Sequence, residues 1–251
     1  MENQLIYTKT LTISDAQADR FDRLKPVALL EITQEVAATH AKRLGVGRQT
    51  LALKNLFWAI ARQKIIIHRL PRRGETIVVE TWPVPPTRTA FPRHIMARTS
   101  DGELLFQMAV LWLFMDRESR AMVLPGNSGV EVPGILRQLE LPLPKGIPVR
   151  HYSQTEQRTV RYSELDQNGH LNNAKYANWM EDVLSSEFHR GHELCGLQIC
   201  YMSEAFEGQE LTLSWELVDN TLHLNASRQG VAGEQWVFAL QAEYRPEQGM
   251  R

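Results

Sequence analysis

The sequence predicts an α+β protein of two similar halves, each with one long helix packed against a curved antiparallel sheet. A glycine followed by an alternating strand occurs twice, once from Gly74 to Trp82 and once from Gly208 to Glu216. One helical pattern and one apolar run precede each copy, and a turn and a long strand follow it. The same order of elements in both halves indicates an internal repeat.

The two helices are predicted from apolar side chains that recur at helical spacing. The first covers about 29–44, and the second covers about 173–188. In the second, Tyr176, Trp179 and Met180 fall on an apolar stripe, and polar residues occupy the opposite face. Helices of this length extend roughly 24 Å, which is enough to cross a sheet.

The strands are predicted from alternation of apolar and polar residues. Segments 211–217 and 236–244 alternate in this way. Segment 104–114 is instead apolar on nearly both faces. Such a strand is covered on both sides, by a second layer or by the wall of an apolar cavity.

The stretch 124–149 is rich in proline and glycine, which is typical of a surface linker. We therefore expect an N-terminal domain at 1–130, a linker at 131–150 and a C-terminal domain at 151–251.

Composition limits the classes of function. The chain has 251 residues, of which 43% are apolar and 23% charged, and its formal net charge is −1. This balance argues against non-specific binding to nucleic acid. We expect no membrane span, no secretory signal and a cytoplasmic protein. The two cysteines, Cys195 and Cys200, are expected to be small buried side chains with reduced thiols.

The segment from Ser163 to Trp179, SELDQNGHLNNAKYANW, concentrates polar chemistry. Asp166, Asn168 and His170 are spaced by two, so in an extended segment their side chains lie on the same side. Asn172 and Asn173 are candidate N-caps for the second helix. The free N–H groups of that helix end could stabilise an oxyanion. An ordinary turn rich in Asp, Asn and Gly is the alternative at this point.

The pattern Asp-x-Asn-x-His-x-Asn-Asn-x-x-Tyr-x-x-Trp, from Asp166 to Trp179, resembles the signature of acyl-acyl carrier protein thioesterases. The order of elements resembles this double hot-dog family over nearly the whole chain. The resemblance implies a tandem hot-dog fold and catalytic roles for Asp166, Asn168 and His170. It also implies hydrolysis of a fatty acyl thioester carried on the phosphopantetheine arm of acyl carrier protein, without a cofactor or metal.

The same resemblance implies a catalytic or water-positioning role for Glu204. The family carries a glutamate in a Tyr-x-x-Glu-Cys context, and the matching stretch here runs from Tyr201 to Ala205. Ala205 departs from the family pattern, because plant-type members often have cysteine there. A cysteine nucleophile at this position is therefore excluded. The first half lacks the Asp, Asn and His set, so we expect it to supply walls of the acyl pocket.

Thioester chemistry suits these residue types. A thiol has a pKa near about 8.5, so the leaving group requires little help from an acid. What the reaction requires is an activated water and a stabilised oxyanion. The sequence leaves open whether His170 or Glu204 takes the proton, or whether a carboxylate attacks directly.

Three basic residues flank the motif, namely Arg158, Arg161 and Lys175. We expect them to dock the acidic carrier protein, with a solvated surface as the alternative. A second cluster at Arg69, Arg72 and Arg73 is the other location for such a patch.

Other classes of function fit less well. The sequence has neither a Gly-x-Ser-x-Gly nucleophile turn nor a dinucleotide-binding glycine loop. His189 and His192 have no third metal ligand at suitable spacing, so they are expected to be surface histidines. An acyl-coenzyme A thioesterase and a non-hydrolytic acyl-binding protein remain as alternatives. The sequence allows a homodimer without specifying one.

Overall fold

The computed structural model describes residues 5–137, 141–231 and 233–247. The chain divides into two compact units, Met1–Pro144 and Lys145–Arg251. This division falls inside the stretch that we predicted as a linker. Among the described residues, no helix combines the length and the hydropathy needed to cross a membrane.

The first unit is an antiparallel sheet with one long helix. Its helices are α1 (Pro26–Arg43) and α2 (Arg48–Ala52), and its strands are β1 (Tyr7–Thr12), β2 (Leu56–Ile67), β3 (Thr76–Pro83), β4 (Phe91–Thr99), β5 (Leu104–Asp116) and β6 (Met122–Val123). The sheet order is β1-β3-β4-β5-β2, and the short β6 pairs with the end of β5.

Helix α1 has the apolar face that the sequence predicted, with Leu29, Ile32 and Val36 buried. It begins three residues earlier than predicted, because Pro26 occupies the first helical position, where its missing N–H costs no hydrogen bond. It packs against β3. Strand β5 has no exposed residue and six of its 13 residues are buried, as expected for a strand with two apolar faces.

The second unit has the same plan with shorter helices. Its elements are β7 (Gln154–Thr159), α3 (Tyr176–Asp182), α4 (Ser186–Gly191), β8 (His192–Tyr201), β9 (Glu210–Val218), β10 (Thr221–Gly230) and β11 (Gly233–Pro246). The strands are antiparallel in the order β8-β11-β10-β9-β7. Both strands that we predicted from alternation in this half are present, as β9 and β11.

The prediction of one continuous helix over 173–188 was wrong, because two helices occupy this stretch. Ser185 is extended, with φ −73° and ψ 153°, and its hydroxyl accepts a hydrogen bond from the Phe188 N–H at 3.1 Å. A serine that caps the next helix in this way ends the preceding one. Apolar periodicity continues through the break and therefore did not reveal it.

Helix α3 lies on the sheet through aromatic contacts. The Tyr176 ring lies 4.6 Å from the Phe238 ring of β11 and 5.4 Å from the Tyr201 ring of β8, measured between centroids. Trp179 is fully buried, and its indole N–H donates to Glu164 Oε1 at 2.7 Å. These contacts fix the helix and, through Glu164, the loop that precedes it.

Candidate active site

The motif residues lie in a tight turn and not in the extended segment that we predicted. Leu165 and Leu171 form an isolated β-bridge across the turn. The Asp166 N–H donates to the His170 carbonyl at 2.7 Å, and the Gly169 N–H donates to the Asp166 carbonyl at 3.0 Å. Gly169 has a φ of +78°, a left-handed conformation that glycine adopts without steric cost.

The Asp166 carboxylate holds this turn together. Its Oδ1 accepts the backbone N–H groups of Asn168 at 2.7 Å and His170 at 3.1 Å. Its Oδ2 accepts the Asn168 side-chain amide at 3.2 Å. Both carboxylate oxygens of Asp166 are therefore engaged in orienting Asn168 and the backbone of His170.

The turn brings His170 to Glu204. Nδ1 of His170 lies 3.5 Å from Oε1 of Glu204. The Leu171 N–H donates to the Ala205 carbonyl at 2.8 Å, and His170 forms an isolated antiparallel β-bridge with Phe206. The Phe206 ring lies edge-on to the imidazole with centroids 5.0 Å apart. The imidazole is therefore held between a carboxylate and an aromatic ring.

A β-bulge places Glu204 at this position. The register between β10 and β11 shifts at Ala226, which leaves Val237 outside the ladder. The Val237 carbonyl accepts the N–H groups of Met202 at 2.9 Å and Ser203 at 3.2 Å. The Ser203 hydroxyl donates to the Trp236 carbonyl at 3.0 Å. The chain after β8 thus stays on β11 until it reaches Glu204.

The predicted helix cap at Asn172 and Asn173 was wrong, because α3 begins at Tyr176 with Lys175 as its N-cap. The Asn172 side chain accepts the Ala174 N–H at 2.9 Å and forms a local turn that delays the helix. The N–H groups of Asn172 and Lys175 also donate to carbonyls of the turn. The Asn173 carbonyl accepts the Tyr201 hydroxyl at 2.9 Å. These bonds stabilise the turn, and one of them occupies the Asn172 N–H.

The three basic residues near the motif have different surroundings. Arg158 pairs with Asp182 and with Glu156, and its guanidinium lies 5.5 Å from the Trp179 ring centre. Arg161 is exposed, and its backbone N–H donates to Glu164 Oε2 at 2.9 Å. Lys175 stands at the start of α3. Arg158 therefore has a clear structural role, which weakens its assignment to docking.

The cysteines lie apart from this chemistry. Both thiols are free, with Cys195 half-buried and Cys200 buried. Burial raises the pKa of the Cys195 thiol. Ala205 is buried directly after Glu204. Among the described residues, no three His, Cys, Asp or Glu side chains cluster as a metal ion requires.

Sequence reasoning missed two residues that shape the site, Phe206 and Glu164. Phe206 packs against His170, and Glu164 links Trp179 to the N–H of Arg161. The three-residue spacing between Arg161 and Glu164 is that of a capping motif, which could have indicated Glu164. No local pattern indicates Phe206, because its contact with His170 is long-range.

Two protein-family models match the chain. The acyl-ACP thioesterase N-terminal domain matches residues 4–124, and the acyl-ACP thioesterase C-terminal domain matches residues 149–242. A palmitoyl-acyl carrier protein thioesterase of Cuphea hookeriana, described as chloroplastic, is 25% identical over 230 residues, which cover 85% of this chain and 54% of that protein. A dodecanoyl-[acyl-carrier-protein] hydrolase of Umbellularia californica is 22% identical over 218 residues, which cover 80% of this chain and 56% of that protein. The chain thus spans about half the length of these curated relatives.

Solved structures share the fold. An acyl-ACP thioesterase from Bacteroides thetaiotaomicron superposes with a TM-score of 0.84 at 23% identity, over 97% of this chain and 99% of that chain. The 12:0-ACP thioesterase from Umbellularia californica superposes with a TM-score of 0.81 at 20% identity, over 97% of this chain and 98% of that chain. These likenesses confirm the predicted α+β, tandem hot-dog fold class.

Proposed function

Because the chain belongs to the acyl-acyl carrier protein thioesterase family, we propose that it hydrolyses the thioester of a fatty acyl group carried on acyl carrier protein. The products are a free fatty acid and the carrier protein with its thiol. This reaction removes the acyl chain from the carrier and so ends or diverts fatty acid synthesis. The proposal assigns catalysis to the second unit.

The observation that carries the proposal is the 3.5 Å contact between His170 Nδ1 and Glu204 Oε1. An imidazole beside a carboxylate can take a proton from water at neutral pH. The water oxygen then attacks the thioester carbonyl carbon, the carbon–sulfur bond breaks, and the sulfur leaves as a thiolate that takes up the proton. Asp166 keeps the turn in shape, and Asn168 positions the water or polarises the carbonyl.

The positions of the carboxylates divide their roles. Asp166 uses both oxygens to hold its own loop. Glu204 instead presents a side chain that is 38% exposed, so water can reach it. This difference supports Glu204, together with His170, as the pair that activates water. Direct attack by Glu204 on the carbonyl is the competing route, in which the thiolate leaves and an anhydride joins the acyl group to Glu204. Hydrolysis of that anhydride at the Glu204 carbonyl carbon would leave labelled oxygen from water in Glu204.

The proposal includes docking of the acidic carrier protein. Arg161 and Lys175 flank the catalytic turn, and Arg158 contributes less because its guanidinium already pairs with Asp182 and Glu156. Positive charge beside the entrance to a site raises the encounter rate with an acidic partner. The acidic partner and its phosphopantetheine arm are the only partners that the proposal requires, and a homodimer is left to measurement by light scattering.

The test is hydrolysis of a series of saturated acyl chains, each presented on carrier protein and on coenzyme A. We expect turnover on carrier protein, with kcat/KM at least tenfold above that on coenzyme A. Preference for coenzyme A would favour the acyl-coenzyme A alternative. Tight binding of acyl chains without turnover of either substrate would favour the non-hydrolytic alternative.

The relatives carry names that differ in chain length, palmitoyl in one and dodecanoyl in the other. The series therefore measures the acyl length for this chain directly. A cytoplasmic location is part of the same proposal, and fractionation of source cells tests it.

A further inference from the structure

We propose that Arg228 is a positioning residue for catalysis, which acts by holding the backbone on both sides of Ala205 so that Glu204 faces His170. The inference rests on the proposed function, because it concerns the same site. It adds a residue of β10 that carries none of the predicted roles and is distant from the motif in sequence.

The Arg228 guanidinium bridges three parts of the second unit. Its Nη1 donates to the Glu204 carbonyl at 2.7 Å and also to Gln209 Oε1. Its Nε and Nη2 donate to Gln235 Oε1 on β11, at 3.1 Å and 2.9 Å. Arg228 and Gln235 are directly opposite each other in the β10–β11 ladder. The bonds to Gln235 thus attach the guanidinium to the strand pair, and the bond to the Glu204 carbonyl attaches it to the turn that contains Glu204.

Gln209 connects Arg228 to the backbone of Phe206. Its Oε1, already bonded to Arg228, also accepts the Phe206 N–H at 3.0 Å. The Arg228–Gln209 pair therefore holds the carbonyl of Glu204 and the N–H of Phe206. Between them, the Ala205 carbonyl accepts the Leu171 N–H from the catalytic loop. Three successive residues of the turn are fixed in this way.

The side chains at both ends of this turn contact His170. Glu204 places a carboxylate oxygen 3.5 Å from Nδ1, and Phe206 places its ring edge-on to the imidazole. Rotation of either peptide would move its side chain away from the imidazole. A positioning error of about 1 Å in a catalytic group can lower the rate by about 10²-fold.

The charge of Arg228 also acts near the site. Burial raises the pKa of the Tyr176 phenol, the positive charge of Arg228 opposes that rise, and the negative charge of Glu204 adds to it. Both charges are therefore close to the same buried hydroxyl. A guanidinium in this position donates charge-assisted hydrogen bonds, which are stronger than those between neutral groups.

The experiment compares Arg228→Met and Arg228→Lys with a matched control, Arg245→Met. Arg245 lies on β11 and pairs with Glu193 at 3.0 Å, away from the Glu204 turn. The substrate is an acyl thioester of a neutral pantetheine analogue, which removes carrier docking from the measurement. We expect Arg228→Met to lower kcat by roughly 30-fold to 100-fold with KM changed less than threefold. Arg228→Lys should retain an intermediate kcat, and Arg245→Met should keep kcat within about twofold.

A double-mutant cycle separates positioning from simple loss of stability. If Arg228 acts through Glu204, Arg228→Met has little further effect on kcat in a Glu204→Gln background. A purely structural role gives additive losses, and a folded Arg228→Met enzyme with kcat within threefold of the wild type also overturns the inference. If the wild-type chain hydrolyses no thioester, the proposed function fails. If the wild type is active and Glu204→Gln is as active, the assignment of Glu204 fails and takes the inference with it.

Discussion

His170 Nδ1 and Glu204 Oε1 lie 3.5 Å apart although the two residues belong to separate segments of the second unit. The turn fastened by Asp166 brings the imidazole, and the chain held on the β11 bulge brings the carboxylate. The relationship is the physical basis for assigning water activation to this pair.

The first prediction concerns this pair. His170→Ala and Glu204→Ala should each lower kcat by about 10² or more, because either change removes one partner in proton transfer. Asp166→Ala should cause a similar loss through disorder of the turn that it holds. Steady-state kinetics on an acyl-carrier substrate, with circular dichroism to check folding, measures the effect.

His151→Ala is the matched control for the histidine. His151 is an exposed histidine of the same unit that lies outside the motif, and its Nε2 lies 3.1 Å from Glu234 Oε2. It should keep kcat within about twofold. Near-normal turnover in a folded His170→Ala protein would contradict the assignment.

The second prediction concerns the thiols. The Cys195→Ser, Cys200→Ala double variant should retain activity, because Ala205 stands where the family pattern often has cysteine. Burial raises the pKa of Cys195, which lowers its thiolate fraction, so alkylation of the wild type should be slow and should leave activity intact. Mass spectrometry gives the extent of alkylation beside the residual activity. Loss of all activity in a stable double variant would mean that a thiol takes part in the reaction.

The third prediction concerns docking. The Arg161→Glu, Lys175→Glu variant should raise KM for the acyl-carrier substrate several-fold and leave kcat much less changed. A glutamate at the start of α3 is also favourable for the helix, so the fold should persist. The effect should shrink as salt rises from low to physiological concentration.

A neutral substrate and an Arg158 variant are the controls for the predicted rise in KM. A neutral pantetheine thioester should show no change in KM, since it offers no charge to the patch. Arg158→Glu should instead lower the melting temperature, because it replaces ion pairs with like-charge contacts to Glu156 and Asp182. If KM is unchanged for both substrates, Arg161 and Lys175 do not dock the carrier protein.

The fourth prediction concerns stability of the first unit in acid. His94 on β4 is buried edge-on to Trp82, and burial lowers its pKa from 6.5 to about 4. As the pH falls from 6.5 to 4, His94 binds a proton in the unfolded chain but stays neutral in the folded state. Stability attributable to His94 is therefore lost over that window, and the loss levels off below the folded pKa.

His94→Phe removes the titrating group and keeps an aromatic ring beside Trp82. Relative to this variant, the wild type should lose about 1–3 kcal/mol of unfolding free energy between pH 7 and pH 4. Urea unfolding followed by tryptophan fluorescence at several pH values gives the two curves. Parallel curves across the window would show that His94 becomes protonated without cost.

The sequence predicted well wherever structure follows from neighbouring residues. The apolar face of α1 and the alternation in β9 and β11 follow from side-chain periodicity along a single element. The halves are recognisable because the repeated segments keep the same order of elements. The motif itself was visible, since its spacing is fixed within one loop.

The break in the second helix was missed for a related reason. Apolar spacing continues across Val183 and Leu184, so periodicity alone favours one helix. Ser185 ends α3 by bonding the Phe188 N–H, and Asn172 delays the start of α3 by bonding the Ala174 N–H. A side chain that can cap a helix or continue in it has two local solutions of similar energy, and packing selects between them.

By itself, the sequence determined the fold class, the two halves and the residues of the motif, because each depends on patterns within short stretches of chain. Only the tertiary structure decided how those residues are used. In the folded chain, the Asp166 carboxylate bonds its own loop, and a β-bulge brings Glu204 to His170. Arg228 donates to the Glu204 carbonyl. These contacts join segments far apart in sequence, and their geometry depends on strand register, which no local pattern encodes.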